Sequence, residues 1–507
     1  MEERGDMMIR TYVNLPVAQY DDVLSWDQGT VDRLLRHAYE IAMKVGCHIE
    51  EEEYLREIES KGGRIDWSRR AVVPTERQLD EVCEVLRKTA RMQARFAPVR
   101  SAGFEPVGIG NGGNMIFDWE SWQAKAPTVQ DLVRVCNFAQ GNDDVRSLFD
   151  PFMPKDINIV LEPVFTYAVM ARHCRKRVYH PQATEPEHVV YLDKMARIVE
   201  RHRGYYQPML HYEYVNPPFR LGGRGIRTML ARIDTGICNK MGLGPMSVSG
   251  MSAPITAVGT AVTAVAEVLC ALSALHIMRP EPGLTTNACT GELDLASARV
   301  KYFALRTHKQ NIAMSEIVRR GIGAECNFLT WYRDANEPGL QACYEYGYSQ
   351  ALFTALKGRT YAEVGGLACG NMFSPEQAIL DIEIIKEFDD LLAGFDASDE
   401  AVAVEEIIRA GFEQGYHLTS EHTLAHMREH LAASDFFLRG YPAGAEHDKR
   451  RTQTQQLMEK AREKSLLSSA RGKETPADEE LGNELWECVE EAADELGIER
   501  PECPKDR

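Results

Sequence analysis

Residues 209–218 read MLHYEYVNPP, a short β-prone run that stops at Asn216-Pro217-Pro218. Proline cannot donate to a strand ladder and pushes the residue before it out of the helical region, so the run has a defined end. The same unit, a short run closed by Gly, Pro, Ser or Asn and followed by a helical stretch, recurs at Arg177–Tyr179, Met246–Val248, Gly283–Asn287, Asn327–Trp331 and Tyr361–Gly365. Repeated at this density, strand then helix indicates a parallel α/β architecture, with a TIM-type (β/α)8 barrel favoured over an open sheet.

Outward from this centre the pattern changes. Toward the N-terminus, Leu34, Leu35, Ala38, Ile41 and Ala42 repeat at three-and-four spacing, and Pro74-Thr75-Glu76 reads as a further helix start, which predicts helices from Val31 to about Ala90. Gly, Asn and aromatics between Ser101 and Trp122 predict a loop or hairpin before helix resumes near Thr128. Past Tyr441 the chain turns highly charged, with helix expected over Gln453–Ser465 and an acidic helix over Pro476–Leu496, packed on the body or another subunit or simply solvated. The expected division is an N-terminal helical region with its Gly and aromatic loop over 1–125, a barrel over 126–445 and a helical tail over 446–507.

With 44% hydrophobic and 26% charged residues among 507, the chain is an ordinary globular one and not a disordered one. A formal net charge of -18 argues against nucleic acid as a partner, because phosphate binding needs a basic surface. The 12 cysteines form no C-x-x-C pair and no dense array, so a reducing, cytoplasmic location is expected. The N-terminus lacks a basic segment followed by an apolar core, which argues against a secretory signal. Ala253–Ile277 is the most apolar run, yet Glu267, His276 and its Ala/Thr content make a buried helix the expected reading and not a membrane span.

Several motifs carry candidate chemistry. Gly108, Gly110 and Gly113 match G-x-G-x-x-G, but Asn114-Met115-Ile116-Phe117 does not open a helix, so a glycine turn is expected. Gly222-Gly223-Arg224-Gly225 could wrap an anion but lacks a P-loop ending. His422, His426 and His430 would share a helix face, an arrangement open to a metal-dependent enzyme; without a carboxylate in H-E-x-x-H order, packing behind a Ser420 or Thr419 cap is favoured, and no metal is assigned. Tyr212-Glu213-Tyr214 ends a strand where a barrel places its chemistry, and a carboxylate flanked by aromatics suits a cation. Trp119, Trp122, Trp331, Tyr332 and Tyr361 are further candidate walls. Glu363, an acid inside Tyr361-Ala362-Glu363-Val364-Gly365, would be costly to bury without a partner.

Together these segments resemble the trimethylamine methyltransferase family over nearly the whole chain. The resemblance runs through His37-Ala38-Tyr39-Glu40-Ile41-Ala42 with Val45-Gly46-Cys47, Gly63-Arg64-Ile65-Asp66 and Val73-Pro74. It continues in Gly250-Met251-Ser252-Ala253-Pro254-Ile255-Thr256 with Gly259-Thr260 and Ala266-Glu267-Val268-Leu269. Asp334-Ala335-Asn336, Gln341, Glu345, Asp381-Ile382-Glu383-Ile384 and Glu421-His422-Thr423-Leu424 with His426 and Arg428 complete it.

The resemblance implies a β/α barrel whose mouth docks a separate corrinoid protein, so that the cofactor, a corrinoid (cobalamin), is carried by a partner. It implies transfer of a methyl group from a small methylated amine to the corrinoid cobalt, with cob(I)alamin as nucleophile and no catalytic acid or base in this chain. Founding members carry pyrrolysine near the segment that here reads Arg359-Thr360-Tyr361-Ala362-Glu363-Val364-Gly365 in standard residues. That points to the branch similar to glycine betaine methyltransferase, which acts on quaternary amines. The implied donor pocket is Glu213, Tyr212, Trp331, Tyr361 and Glu363 with Trp119 as a cover, and the implied corrinoid-proximal residues are Gly250, Ser252, Thr256 and His422. Barrels of this family self-associate, so a homo-oligomer is expected. Departures from the family pattern, Trp331-Tyr332-Arg333, Asn336 and Gly358-Arg359-Thr360, fall at the expected mouth, and a non-catalytic relative that binds a corrinoid protein or a small cation would carry the same barrel.

Overall fold

The computed structural model describes residues 12–13, 26–96, 107–110, 112–209, 212–328, 332–357, 363–392, 395–412, 417–427, 436–437 and 452–504. Eight short strands run parallel in chain order: β1 (Val107–Ile109), β2 (Val145–Leu148), β3 (Arg177–Val178), β4 (Tyr212–Tyr214), β5 (Lys240–Gly244), β6 (Gly283–Ala288), β7 (Cys326–Phe328) and β8 (Glu363–Val364). They form two four-stranded sheets, in the orders β8-β1-β2-β3 and β4-β5-β6-β7. The last strand pairs with the first, Glu363 opposite Gly108 and Val364 opposite Ile109.

Five of these strands coincide with the runs expected from sequence. β1, β2 and β5 do not, for legible reasons. β1 lies inside the glycine-rich stretch expected as loop or hairpin, and the hairpin follows it at Met115–Asp118 and Gln123–Lys125. β2 reads Val-Arg-Ser-Leu, too short and half polar to stand out. β5 reads Lys-Met-Gly-Leu-Gly, whose glycines look like punctuation but are there for space: a Cβ at Gly242 would sit 2.9 Å from the Tyr212 ring, and one at Gly244 3.2 Å from the Tyr214 ring. The run Met246–Val248 contributes instead to a separate small sheet, in which Val248–Ser249 pairs with Gly291–Asp294.

Helices cover one side of both sheets. Helix α1 (Gln28–Val45), capped by Asp27, α2 (Glu52–Ser60) and α3 (Glu76–Phe96) form the expected N-terminal layer. α4 (Val129–Gly141) opens on a Thr128/Asp131 capping box. α5 (Glu162–His173) and α6 (Pro186–Arg203) follow β2 and β3, and α7 (Gly223–Asp234) follows β4. α8 (Ala257–Met278), α9 (Leu305–Glu316), α10 (Leu340–Lys357) and α11 (Pro375–Leu392) complete the layer. One hydrophobic core joins α1–α3 to α7–α9 and the second sheet; the other joins α4–α6 and α11 to the first sheet.

Among the described residues α8 is the one helix long and apolar enough to cross a membrane, and 89% of its apolar window is buried inside the protein. Glu267 sits fully buried in it, its Oε1 accepting the Phe219 N–H at 3.0 Å and its Oε2 the Ser247 hydroxyl at 2.5 Å. The carboxylate thus pins α8 to the loop after β4 and to the segment after β5. All twelve cysteines are free thiols.

The C-terminal tail packs on the body. Helix α12 (Gln453–Glu474) crosses α4 so closely that a Cβ at Gly472 would lie 1.9 Å from the Asn137 carbonyl oxygen and one at Gly141 2.0 Å from that of Ser468. Helix α13 (Glu479–Glu495) buries Leu481, Leu485, Val489, Ala492 and Ala493 against α5 and α6. Its acidic edge meets basic side chains there: Arg172 with Glu479 at 2.8 Å, Arg201 with Glu484 at 2.6 Å, and Lys194 with Glu491. Exposed ion pairs of this kind contribute little each, so the apolar face holds the tail and the charges set its register.

Two outcomes follow. Gly472→Ala should lower stability by about 1–3 kcal/mol in urea unfolding, because the added methyl meets backbone and not a flexible side chain, whereas Gly411→Ala, with nothing near its Cβ, should not. Burial pushes the Glu267 carboxyl up to about 7 from an ordinary 4.5, against the hydrogen bonds from Ser247 and the Phe219 backbone. Between those values the folded chain holds a proton that the unfolded chain has released, so this residue's contribution to stability falls as pH rises through that window. Wild type should therefore lose stability relative to Glu267→Gln as unfolding is followed from about pH 4.5 to pH 7.5; a difference that is flat in pH would refute the assignment.

Candidate functional site

Side chains on a strand alternate between faces, so the helix-facing residues identify the others. Ile109, Leu148, Val178 and Val364 share a register row and belong to the helix-side core, as do Leu243 and Leu284. Glu363, Gly108, Ser147 and Arg177 in the first sheet, and Tyr212, Tyr214, Gly242, Gly244, Thr285 and Asn287 in the second, therefore turn to the opposite, inner face. The two inner faces bound the candidate chamber; burial pushes the Tyr214 phenol up, with neighbouring acids that include Glu363 adding to it.

This chamber has aromatic walls and acidic groups. The Tyr214 and Tyr332 hydroxyls are hydrogen-bonded to each other, and the Tyr302 ring lies 5.1 Å from that of Tyr332. Glu363 is partly buried, and its Oε2 is sealed from solvent without a hydrogen-bond partner among the described residues. Burial and then the nearby Asp150 carboxylate push the Glu363 carboxyl well above the usual range, with Arg333 opposing. Asp150 is itself buried at the end of β2, and burial raises its carboxyl as well. Asn287, 6% exposed, leaves its Oδ1 without a partner, and a Cβ at Gly244 would lie 2.4 Å from that oxygen.

A buried ion pair backs the chamber. Arg333 gives Nη1 to Asp381 Oδ1 at 2.9 Å and Nη2 to Oδ2 at 2.7 Å, with its guanidinium 4.6 Å from the Tyr346 ring centre. Asp381 also accepts the Gly365 N–H just after β8 and the Gln377 amide, each at 2.7 Å. Glu345 accepts the backbone N–H groups of Asp334 and Ala335 at 2.7 and 3.0 Å, while Asp334 accepts that of Tyr302 at 2.9 Å. The segments Asp334-Ala335-Asn336, Glu345 and Asp381 are thus brackets that hold Tyr302, Tyr332 and β8 in place.

The structure separates some residues that the sequence reading grouped. Tyr212 and Glu363 face the chamber. Glu213 does not: as the middle residue of β4 it points to the helix layer, where it accepts Arg232 Nη2 at 2.8 Å, the Thr228 hydroxyl at 3.1 Å and the Gln182 amide at 3.2 Å. Its carboxyl is raised by burial against those partners, and its charge is matched by the buried Arg232. Trp119, in the hairpin turn, packs 5.1 Å from Trp122 and 5.6 Å from the Arg462 guanidinium of α12, a clamp on the tail and not a cover. Trp331 and Tyr361 lie outside the described residues.

The expected corrinoid-side loop follows β5. Gly250 has φ +79°, Ser252 accepts the Val248 N–H at 2.9 Å, and Thr256 caps α8, so these positions shape the loop while Met251 and Ile255 stand exposed. His422 lies elsewhere, in the short helix Glu421–His426 behind its Ser420 cap, with Nε2 at 3.1 Å from the Glu400 carbonyl oxygen and its ring 4.5 Å from that of His426. His430 is outside the described residues, among which no cluster suited to a metal ion occurs. Of the glycines at 108–113, Gly108 lies within β1 and the turn follows it, with Gly110 at φ +106° against the Phe149 carbonyl. The Gly222–Gly225 segment does meet an anion, but an internal one: a Cβ at Gly223 would fall on the Glu51 carboxylate, which fills that helix start.

Sequence reasoning missed Asp150, Asn287 and Tyr302 as site residues. Asp150 follows an unrecognised strand, and Tyr302 arrives on an inserted antiparallel pair, Gly291–Asp294 and Arg299–Lys301. Only Asn287, at the end of a recognised run, carried a usable signal.

Comparison with known proteins gives a consistent family. A family model described as trimethylamine methyltransferase (MTTB) matches residues 2–441. The trimethylamine methyltransferase MttB of Desulfitobacterium hafniense (strain DSM 10664 / DCB-2) is 22% identical over 475 residues, 91% of this chain and 92% of that protein. The trimethylamine methyltransferase MttB of Methanosarcina thermophila is 26% identical over 171 residues, 34% of this chain and 35% of that one. The crystal structure of the Methanosarcina barkeri monomethylamine methyltransferase (MtmB) aligns over 89% of this chain and 95% of its own at 12% identity, with a TM-score of 0.43.

Asp381→Asn should destabilise the fold by about 3–5 kcal/mol, because it leaves the Arg333 charge buried and unmatched. Chemical denaturation measures this; a loss under about 1 kcal/mol, the size typical of exposed pairs, would show that the pair is not the bracket described.

Proposed function

The chain belongs to the trimethylamine methyltransferase family and is a methyltransferase, and on that premise we propose that it takes a methyl group from a small quaternary amine, the class that includes the betaines, and delivers it to a corrinoid carried by a separate protein. The observation that carries this reading is the chamber itself: tyrosine rings and carboxylates converge, and acceptor atoms stand without donors. A quaternary ammonium group suits such a lining, since it donates no N–H, is drawn to aromatic faces and presents polarised methyl hydrogens to oxygen acceptors. Its permanent charge also activates the methyl group, because the amine departs neutral.

The fold reading that goes with this is a closed (β/α)8 barrel, with the N-terminal helices and the C-terminal tail packed around it. Parallel order along the chain and pairing of the last strand with the first support it. On that reading the chamber opens at the C-terminal ends of the strands, from which the residues after β2, β4, β6 and β7 project: Asp150, Asn216, Cys289 and Tyr332.

A corrinoid, when a partner brings it, supplies a reduced cobalt that acts as the nucleophile. The residues at the strand ends fit a docked protein: Met251, Ile255 and Leu295 are 63%, 51% and 70% exposed, an apolar rim beside the chamber. Gly250, Ser252 and Thr256 would set the shape of that rim. This chain's own part is to bind the donor, exclude water and aim one methyl group outward; Tyr214, Tyr302 and Tyr332 form the wall that orients it, and no side chain needs to move a proton.

Purified protein mixed anaerobically with cob(I)alamin and a panel of glycine betaine, carnitine, choline and tetramethylammonium should cause loss of the cob(I)alamin absorbance with at least one donor. Tyr214→Phe with Tyr332→Phe, which keeps the rings, should retain most of the rate, and Tyr332→Ala should lower it tenfold or more. No conversion with any donor would refute the methyl-transfer reading.

A further inference from the structure

Helix α12 of the tail lies beyond the residues that the family model matches, which end at 441, and it meets the body at more than its crossing with α4. Met458, Arg462 and Ser465 follow at four-and-three spacing, so they share one face of the helix. Between them they touch the three segments that leave the C-terminal ends of β1, β7 and β8. Met458 Sδ lies 3.6 Å from where a Cβ at Gly339 would stand, in the segment after β7. Arg462 gives Nη1 to Glu376 Oε1 at 2.6 Å, and Ser465 gives its hydroxyl to the same oxygen at 3.3 Å, in the first turn of α11 after β8. Arg462 also gives Nη2 to Glu120 Oε1 at 3.0 Å, with its guanidinium 5.6 Å from the Trp119 ring, at the turn of the hairpin after β1.

Those three segments are also bonded to one another. Asn114 and Met115 give their N–H groups to the Asn371 carbonyl oxygen at 2.8 and 2.9 Å, and Met115 and Ile116 pair with Met372 and Phe373. Ala368 and Cys369 give theirs to the carbonyl oxygens of Ala335 and Arg333 at 2.8 and 2.7 Å, and the Trp122 indole donates to Glu337 Oε2 at 3.0 Å. The two arms of Arg462 are not equal. Glu120 is 80% exposed, and an ion pair there contributes little. Glu376 is 1% exposed, with the Ser374 hydroxyl donating to its other oxygen at 2.9 Å, and a buried carboxylate deprived of its cation is strongly destabilising. Ser374 in turn gives its N–H to the Gly365 carbonyl oxygen at 2.9 Å, directly past the strand that carries Glu363.

From this convergence we infer that α12 is a brace across the mouth of the barrel and that Arg462 is a positioning residue. By matching the Glu376 charge and holding the hairpin turn, it fixes the segments after β1, β7 and β8 relative to one another. The tail therefore does more than cover α4–α6, since whatever loosens it also loosens the frame of the chamber. This rests on the mouth lying at the C-terminal ends of the strands, the fold reading proposed above.

Hydrogen–deuterium exchange of the full chain, read by mass spectrometry, tests the brace in wild type, Arg462→Met, Arg462→Lys and Arg201→Met. In Arg462→Met, which keeps the apolar stem without the charge, the amides of Asn114, Met115, Ala368, Cys369 and Ser374 should exchange about tenfold faster or more, while α1 and α9 keep wild-type rates. Arg462→Lys restores a charge beside Glu376 but not the fork to Glu120. It should bring Ala368, Cys369 and Ser374 back to within about threefold of wild type and leave Asn114 and Met115 faster by about threefold or more. Arg201→Met breaks the pair between the tail's Glu484 and α6 and should leave all five amides unchanged. Wild-type exchange at these amides in Arg462→Met, acceleration spread evenly over the chain, or the same acceleration in Arg201→Met would each overturn the brace. If Arg462→Met does not fold, Arg462→Lys decides alone, and wild-type exchange at Asn114 and Met115 in that variant overturns the inference. The measurement needs neither donor nor corrinoid, so its outcome is independent of whether methyl transfer is observed.

Discussion

One buried carboxylate ties the working end of this protein together. Asp381 accepts four hydrogen bonds, from both terminal nitrogens of Arg333, from the backbone just past β8 and from Gln377 on its own helix. A fully buried carboxylate survives only when its charge and lone pairs are met, and here meeting them fixes three segments relative to one another. The strand that carries Glu363, the segment that carries Tyr332 and helix α11 are all held by it. Asp334 and Glu345 extend the bracket to Tyr302.

Burial and then Asp150 push the Glu363 carboxyl up, while burial and then Glu162 do the same for Asp150. A cation placed beside Glu363 would favour its ionised form.

The same economy of placement runs through the rest of the fold. Gly242 and Gly244 make room for tyrosine rings, Gly223 admits the Glu51 carboxylate to a helix start, and Gly141 with Gly472 lets the tail lie on α4. In each case the missing side chain is what allows a neighbour to approach. The tail completes the core around α4–α6, and its acidic edge meets Arg172, Lys194 and Arg201 at the surface.

The sequence by itself determined the element types wherever period and punctuation agreed. The N-terminal helices, the break before Thr128 where helix resumes, the buried character of Ala257–Met278 and five of eight strands were legible because local propensity and turn residues pointed one way. It also marked Glu363, since a carboxylate inside an apolar run is a local anomaly. What only the tertiary structure decided is which way each side chain faces and what meets it. Glu213 looked like Glu363's equal, but alternation along β4 turns it to the helices and Arg232, whereas Glu363 faces the chamber. Asp150, Asn287 and Tyr302 reach the same space from strands and insertions far apart in the chain. Partners that arrive from a distance leave no period in a sequence, because their meeting is fixed by register and packing between elements and not by spacing within one.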